Sequence, residues 1–151
     1  MSKTRDEYIM SDSVLFYPLQ YSNYVNYIYS LVAEPDIPKA YVMILLTLKK
    51  FGAMPISRIG EWIGIARPNM TAVIDGMTDK GWINRSSSPT DRRIINIEMT
   101  ETGRKYLDGF IERLYPVMQE QFSMLSDEDV GKMVTSLENL VDIGKKLIRE
   151  A

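Results

Sequence analysis

Between Ile56 and Gly103 the hydrophobic spacing changes from helical to alternating, with glycine stops between the segments. That order constrains the fold more than any other feature of the chain. Ile56, Ile59 and Ile63 fall on one face of a short helix that Gly64 ends. Met70, Val73, Ile74 and Met77 then recur at i, i+3, i+4 and i+7, the stripe of a second helix over about Arg67 to Lys80, stopped by Gly81. Trp82-Ile83-Asn84-Arg85 reads as a strand and Ser86 to Asp91 as a turn-rich loop. A returning strand at about Ile94 to Met99 sends Ile95, Ile97 and Met99 one way and Asn96 and Glu98 the other. Two short helices, a turn and a hairpin with a basic tip are the parts of a winged helix-turn-helix for reading duplex DNA.

A DNA-reading helix needs an apolar face toward its domain and an opposite face of small or polar groups. The second helix has both, because a 100° step turns Pro68, Thr71, Ala72, Asp75 and Gly76 outward, with Asn69 on the flank. Asn69 can bond adenine in two places, and Thr71 can bond a base or offer its methyl to thymine. Pro68 and Ala72 are small enough for close backbone approach, and Arg67 is placed for a guanine or a phosphate. In the hairpin loop, Arg92 and Arg93 suit a narrowed minor groove, and Asp91 beside them would orient an arginine.

The flanking segments are strongly apolar. Tyr17, Tyr21, Tyr24, Ile28 and Leu31 form one helical face between Val14 and Val32, with Pro18 in a first turn or bending the segment there. A central helix follows from Pro38 to about Phe51, with Tyr41, Ile44, Leu45 and Leu48 on one face and Gly52 just past its end. After the hairpin, Thr100 caps a helix over about Glu101 to Leu125, which Pro116 should kink or divide. Ser126 and the acidic turn after it open a last helix, whose stripe runs from Val130 and Met133 to Leu147 and Ile148, with Lys145, Lys146 and Arg149 at its end. One chain of 151 residues has little core left to bury apolar stripes at both ends. A two-fold dimer that interlaces them is the simplest solution. The expected fold is mainly α with a small β-hairpin wing. Its helical dimerisation region would be residues 1–36 and 101–151, and its winged helix-turn-helix 37–100. The tyrosines serve first as dimer core. Buried phenols need hydrogen-bond partners, so Tyr17, Tyr21 and Tyr24 are also candidate contacts for a small aromatic or phenolic ligand.

Composition narrows the function classes. The chain has no Cys and no His, which removes thiol chemistry, the commonest general base and the commonest metal ligand. No carboxylate pair stands isolated in an apolar setting, so an enzyme is not expected, nor is a cofactor or metal. No apolar run is long enough to span a membrane, and Met1 to Tyr8 lacks a signal-peptide core, so the expected location is cytoplasmic. A net charge of −2 and a pI near 5.2 count against high affinity for phosphates. Local basic spots are all that a dimeric reader needs.

These segments resemble the MarR family of winged-helix transcription regulators. The likeness runs from about Ile44 to Leu107. It rests on Ile63-Gly64-Ile65, Met70-Thr71, Val73-Ile74-Asp75, Lys80-Gly81-Trp82-Ile83 and Arg85. It is most specific from Asp91-Arg92-Arg93 to Met99-Thr100-Glu101-Thr102-Gly103. The resemblance implies a homodimer joined by the first and last two helices, pseudopalindromic operators, and ligands between dimer region and winged helix that release DNA. Ala66 stands where the family usually has a capping Ser, and Ala72 and Gly76 where it often has Arg, which takes positive charge off the DNA face. The expectation is a dimeric DNA-binding regulator, a repressor released by a small ligand or tuned by none. The alternative is a winged-helix protein-interaction module with weak or no DNA binding, suggested by the acidic pI and the arginine-poor helix.

Overall fold

The structure, a computed structural model, describes residues 4–9, 11, 14 and 16–149, with the backbone alone at 8 and 147–149. The side chains of Leu147, Ile148 and Arg149 thus lie outside the described residues, as do Met1 to Lys3 of the lead-in. The elements are α1 (Arg5–Ile9), α2 (Tyr17–Ser30), α3 (Lys39–Phe51), β1 (Met54–Pro55), α4 (Ile56–Ile63), α5 (Arg67–Asp79), β2 (Ile83–Ser87), β3 (Ile95–Met99), α6 (Glu101–Phe122) and α7 (Asp127–Arg149). The protein is mainly helical with a small antiparallel sheet, as the sequence predicts. No helix among the described residues is long and apolar enough to cross a membrane.

The sheet has three strands in the order β1-β3-β2. In the hairpin Ile83 pairs with Met99, Arg85 with Ile97 and Ser87 with Ile95. Strand β1 is an addition to the expected hairpin: Met54 pairs with Ile97 and Pro55 with Asn96. Two residues are too few to show alternation, and a proline argues against a strand except at an edge, which is where β1 lies.

The core is the convergence of the predicted stripes. Ile44 and Leu45 of α3, Ile59 of α4, Ile74 and Met77 of α5, Ile83 of β2, Ile97 of β3 and Leu107 of α6 are all fully buried. Each such side chain contributes roughly 1.5–3 kcal/mol by leaving water. The turn between α4 and α5 is set by Gly64, whose φ of 69° and ψ of 30° are left-handed and favour glycine. Thr100 caps α6 as expected: its Oγ1 accepts from the Gly103 amide at 3.1 Å and donates to the Gly81 carbonyl at 2.6 Å. Ser126 caps α7, accepting from the Asp129 amide at 3.1 Å.

Helix α6 is not divided at Pro116, which sits inside it. That proline and Glu112 are exposed, so water can take the carbonyl that a missing N–H leaves free. Its first half also belongs to the winged-helix core, because Gly103, Leu107 and Phe110 are buried there. The terminal helices differ. On α2 only Ile28 is buried, and no described side chain of α7 is.

Candidate nucleic-acid interface

Helix α5 is held by Met70, Ile74 and Met77, which are buried, and Val73, which packs against the core. This seating exposes Arg67, Pro68, Asn69, Thr71 and Ala72, so all five predicted contacts of the helix are open to a partner. Arg67, Pro68 and Thr71 border a groove of about 820 Å³ between α4 and the start of α5, shared with Ser57, Glu61 and Gly64. Asn69 and Ala72 are exposed outside that groove. Ala66 is the N-cap and gives no side-chain cap, while Pro68 occupies the first turn. The Asn69 and Met70 amides both donate to the Ala66 carbonyl, at 3.0 and 3.2 Å, and Pro68 has no N–H to offer.

Two expectations for the outer face need correction. Gly76 does not face outward: it is half-buried, and a Cβ built there would lie 1.9 Å from the Tyr41 hydroxyl oxygen. A glycine has no apolar side chain to mark it as buried, so spacing alone misplaces it. The loss of positive charge at this position thus has no bearing on the exposed face. Asp75 is exposed as expected, but it is ion-paired with Arg85 of β2. Arg85 follows Ile83 on the same side of the strand and reaches α5 where the core ends. The i+2 spacing from a buried isoleucine was the available signal for this arginine.

The wing tip is ordered by its own polar groups. The Ser88 amide donates to the Ile94 carbonyl at 2.9 Å, and the Ile94 amide donates to the Asp91 carbonyl at 3.0 Å. Asp91 orients an arginine through the backbone: its Oδ1 accepts from the Arg93 amide at 2.9 Å. It forms no ion pair with either guanidinium. Arg67, Arg92 and Arg93 are exposed and enter none of the ion pairs among the described residues.

A separate cavity of about 360 Å³ lies between α2, α3 and α6. Tyr21, Tyr24, Ile28, Tyr29, Phe110 and Leu114 contribute to its wall, together with Lys39. Burial, and then the neighbouring Tyr24, push the Tyr21 phenol above its ordinary pKa. The structure brings Tyr21 and Tyr24 together at 6.3 Å between ring centroids but leaves Tyr17 apart. Tyr17 is exposed one turn before the cavity and meets Phe16 edge-on at 6.0 Å.

Comparison with known proteins agrees with this architecture. A family model described as "MarR family" matches residues 38–95. The HTH-type transcriptional regulator MhqR of Bacillus subtilis is 31% identical over 109 residues, covering 72% of this chain and 74% of that protein. The uncharacterized HTH-type regulator YpoP of the same organism is 27% identical over 103 residues, 68% of this chain and 73% of that one. Among solved structures, a mutant of MarR from E. coli complexed with operator DNA matches with a TM-score of 0.64 at 16% identity. That match covers 91% of this chain and 99% of the other, and is a likeness of fold.

Proposed function

The chain belongs to the MarR family of transcriptional regulators, and from that premise we propose that it is a dimeric, sequence-specific DNA-binding repressor of the cytoplasm. The observations that carry this reading are the exposed small and polar residues of α5 and the exposed Arg67, Arg92 and Arg93, which enter none of the ion pairs among the described residues. In this reading Asn69 and Thr71 touch base edges, Pro68 and Ala72 allow close approach, and Arg67 meets a phosphate or guanine. Arg92 and Arg93 enter the minor groove, with Asp91 holding the turn. Residues 37–100 read DNA as the winged helix-turn-helix, and 1–36 with 101–151 form the helical dimerisation region. The unburied face of α7 supports the dimer, whose symmetry fits a pseudopalindromic operator.

The cavity beside Tyr21 and Tyr24 supports release by a small aromatic or phenolic effector. Tyr17 enters this site only through a change in the packing of α2. The protein is not an enzyme in this reading and uses no cofactor or metal. The reading as a protein-interaction module rests on the acidic charge and on the arginine-poor α5, where the Arg85 pair offsets the one carboxylate, Asp75, of the outer face.

Fluorescence anisotropy on duplexes selected from random DNA tests the proposal. Salt-sensitive binding is expected, and changing Arg92 and Arg93 together to Ala, which removes two arginines from each protomer of the dimer, should weaken it and reduce the log–log salt slope by up to about four. A pair of substitutions that leaves binding and slope unchanged would favour the protein-interaction reading.

A further inference from the structure

Aromatic contacts run in series from the cavity wall to α5. Tyr29 and Phe110, both in that wall, lie 5.8 Å apart between centroids. One turn before Phe110, Tyr106 stacks on Trp82 with centroids 4.0 Å apart and planes at 20°. Trp82 in turn meets Tyr41 edge-on, at 6.0 Å and 85°. The Tyr41 hydroxyl then ends against Gly76, where an added Cβ would lie 1.9 Å from the oxygen and 3.1 Å from the carbon bearing it.

A side-chain tip this close to a helix usually yields by rotating away. Tyr41 is poorly placed to do so, because it is 8% exposed and Trp82 7%. Trp82 is itself fixed from behind. Its carbonyl accepts from the Thr100 amide at 3.0 Å, and a Cβ on Gly103 would come within 2.2 Å of that oxygen. At the far end Glu34 pairs with Arg113 and stands beside the Tyr106 hydroxyl, which burial first and Glu34 second push up to about 12. Closely packed interiors pass displacement on from one contact to the next.

We propose that the Tyr106–Trp82–Tyr41 column is a strut that sets the seat of α5 through Gly76 and links it to the α2–α6 cavity wall. Tyr41 and Trp82 are positioning residues and need not touch DNA. The inference rests on the DNA-binding reading and adds the route by which the helical region governs the reading helix.

A double-mutant cycle on the full chain tests it, with Gly76→Ala, Tyr41→Phe and the pair. DNA affinity is read by anisotropy on a wild-type-selected duplex, and the seating of α5 by hydrogen exchange on the free protein. Gly76→Ala should weaken DNA binding about tenfold, while Tyr41→Phe alone should change it by less than about threefold. The pair should recover at least about threefold of that loss, because the oxygen at 1.9 Å is gone and only the ring carbon at 3.1 Å still crowds the new methyl. Exchange across α5 should follow the same order. A pair as weak as Gly76→Ala, or a Gly76→Ala that binds like wild type, overturns the strut.

If Gly76→Ala does not fold, Tyr106→Leu decides. It removes the stack two contacts away from Gly76, so the strut requires faster exchange in α5 with α4 unchanged. No change in α5 overturns it. Loss of DNA binding by the wild-type protein would instead sink the functional reading and leave the exchange measurement to judge the strut.

Discussion

Helices α3 and α7 carry apolar stripes of the same kind and meet opposite fates. Across its 13 residues α3 buries Tyr41, Val42, Ile44, Leu45 and Leu48. Over 23 residues α7 buries none of its described side chains, and Leu140 remains 64% exposed. Helix α2 sides with α7, leaving Leu19 65% exposed. Periodicity does not separate the two cases; the available surface does. The winged helix closes its core within one chain, whereas the terminal helices present apolar surface that a single chain does not cover. In the proposed dimer this patch is the association surface.

The comparison breaks most visibly if α7 is made polar. Leu137→Asp with Leu140→Asp should raise the dimer dissociation constant by at least about a hundredfold in analytical ultracentrifugation. The winged helix should keep its folded tryptophan emission. An unchanged sedimentation coefficient would show that α7 is not the joining surface. The converse change is Ile44→Ala in the closed core, which should cost about 2–5 kcal/mol in denaturant unfolding because the cavity cannot collapse. Smaller still is Thr100→Ala, which removes the α6 cap and should cost about 1 kcal/mol.

The finest test is alkaline. Tyr106 holds its proton more tightly in the fold, up to about 12 against an ordinary 10.0. That stabilisation is fully present below pH 10.0 and is lost as pH rises through about 12. Thermal unfolding should therefore fall more steeply over that window in wild type than in Tyr106→Phe. Parallel curves would remove Tyr106 as the titrating group.

Features set by neighbours in the chain were legible in the sequence. The stripe Met70, Val73, Ile74 and Met77, the turn at Gly64 and the cap at Thr100 each follow from local spacing and backbone chemistry. What escaped depends on residues far apart in sequence. Tyr41 approaches Gly76, Arg85 meets Asp75, and Met54 pairs with Ile97 only once the chain has folded. Tyr17 shares a helical face with Tyr21 and Tyr24, but the cavity ends before reaching it. Pro116 shows the reverse, a strong local signal tolerated because its surroundings are exposed. At the candidate interface, the sequence identified which residues face out on α5 except Gly76, whereas the contact of Asp91 with the Arg93 amide is a feature of the folded turn that its proximity to two arginines did not specify.

The edge strand β1 holds the wing along the middle of its returning strand. Because Met54 and Pro55 pair with Ile97 and Asn96 from the side opposite β2, β3 is anchored to the segment that leads into α4. Only the tip between Ser87 and Ile95 is left outside the paired strands. Exposed loop tips accept insertions and exchanges that a paired strand would not. The reach of the wing can therefore change over evolutionary time without disturbing the helix beside it, so in the proposed reading groove preference and base preference can diversify separately within one scaffold.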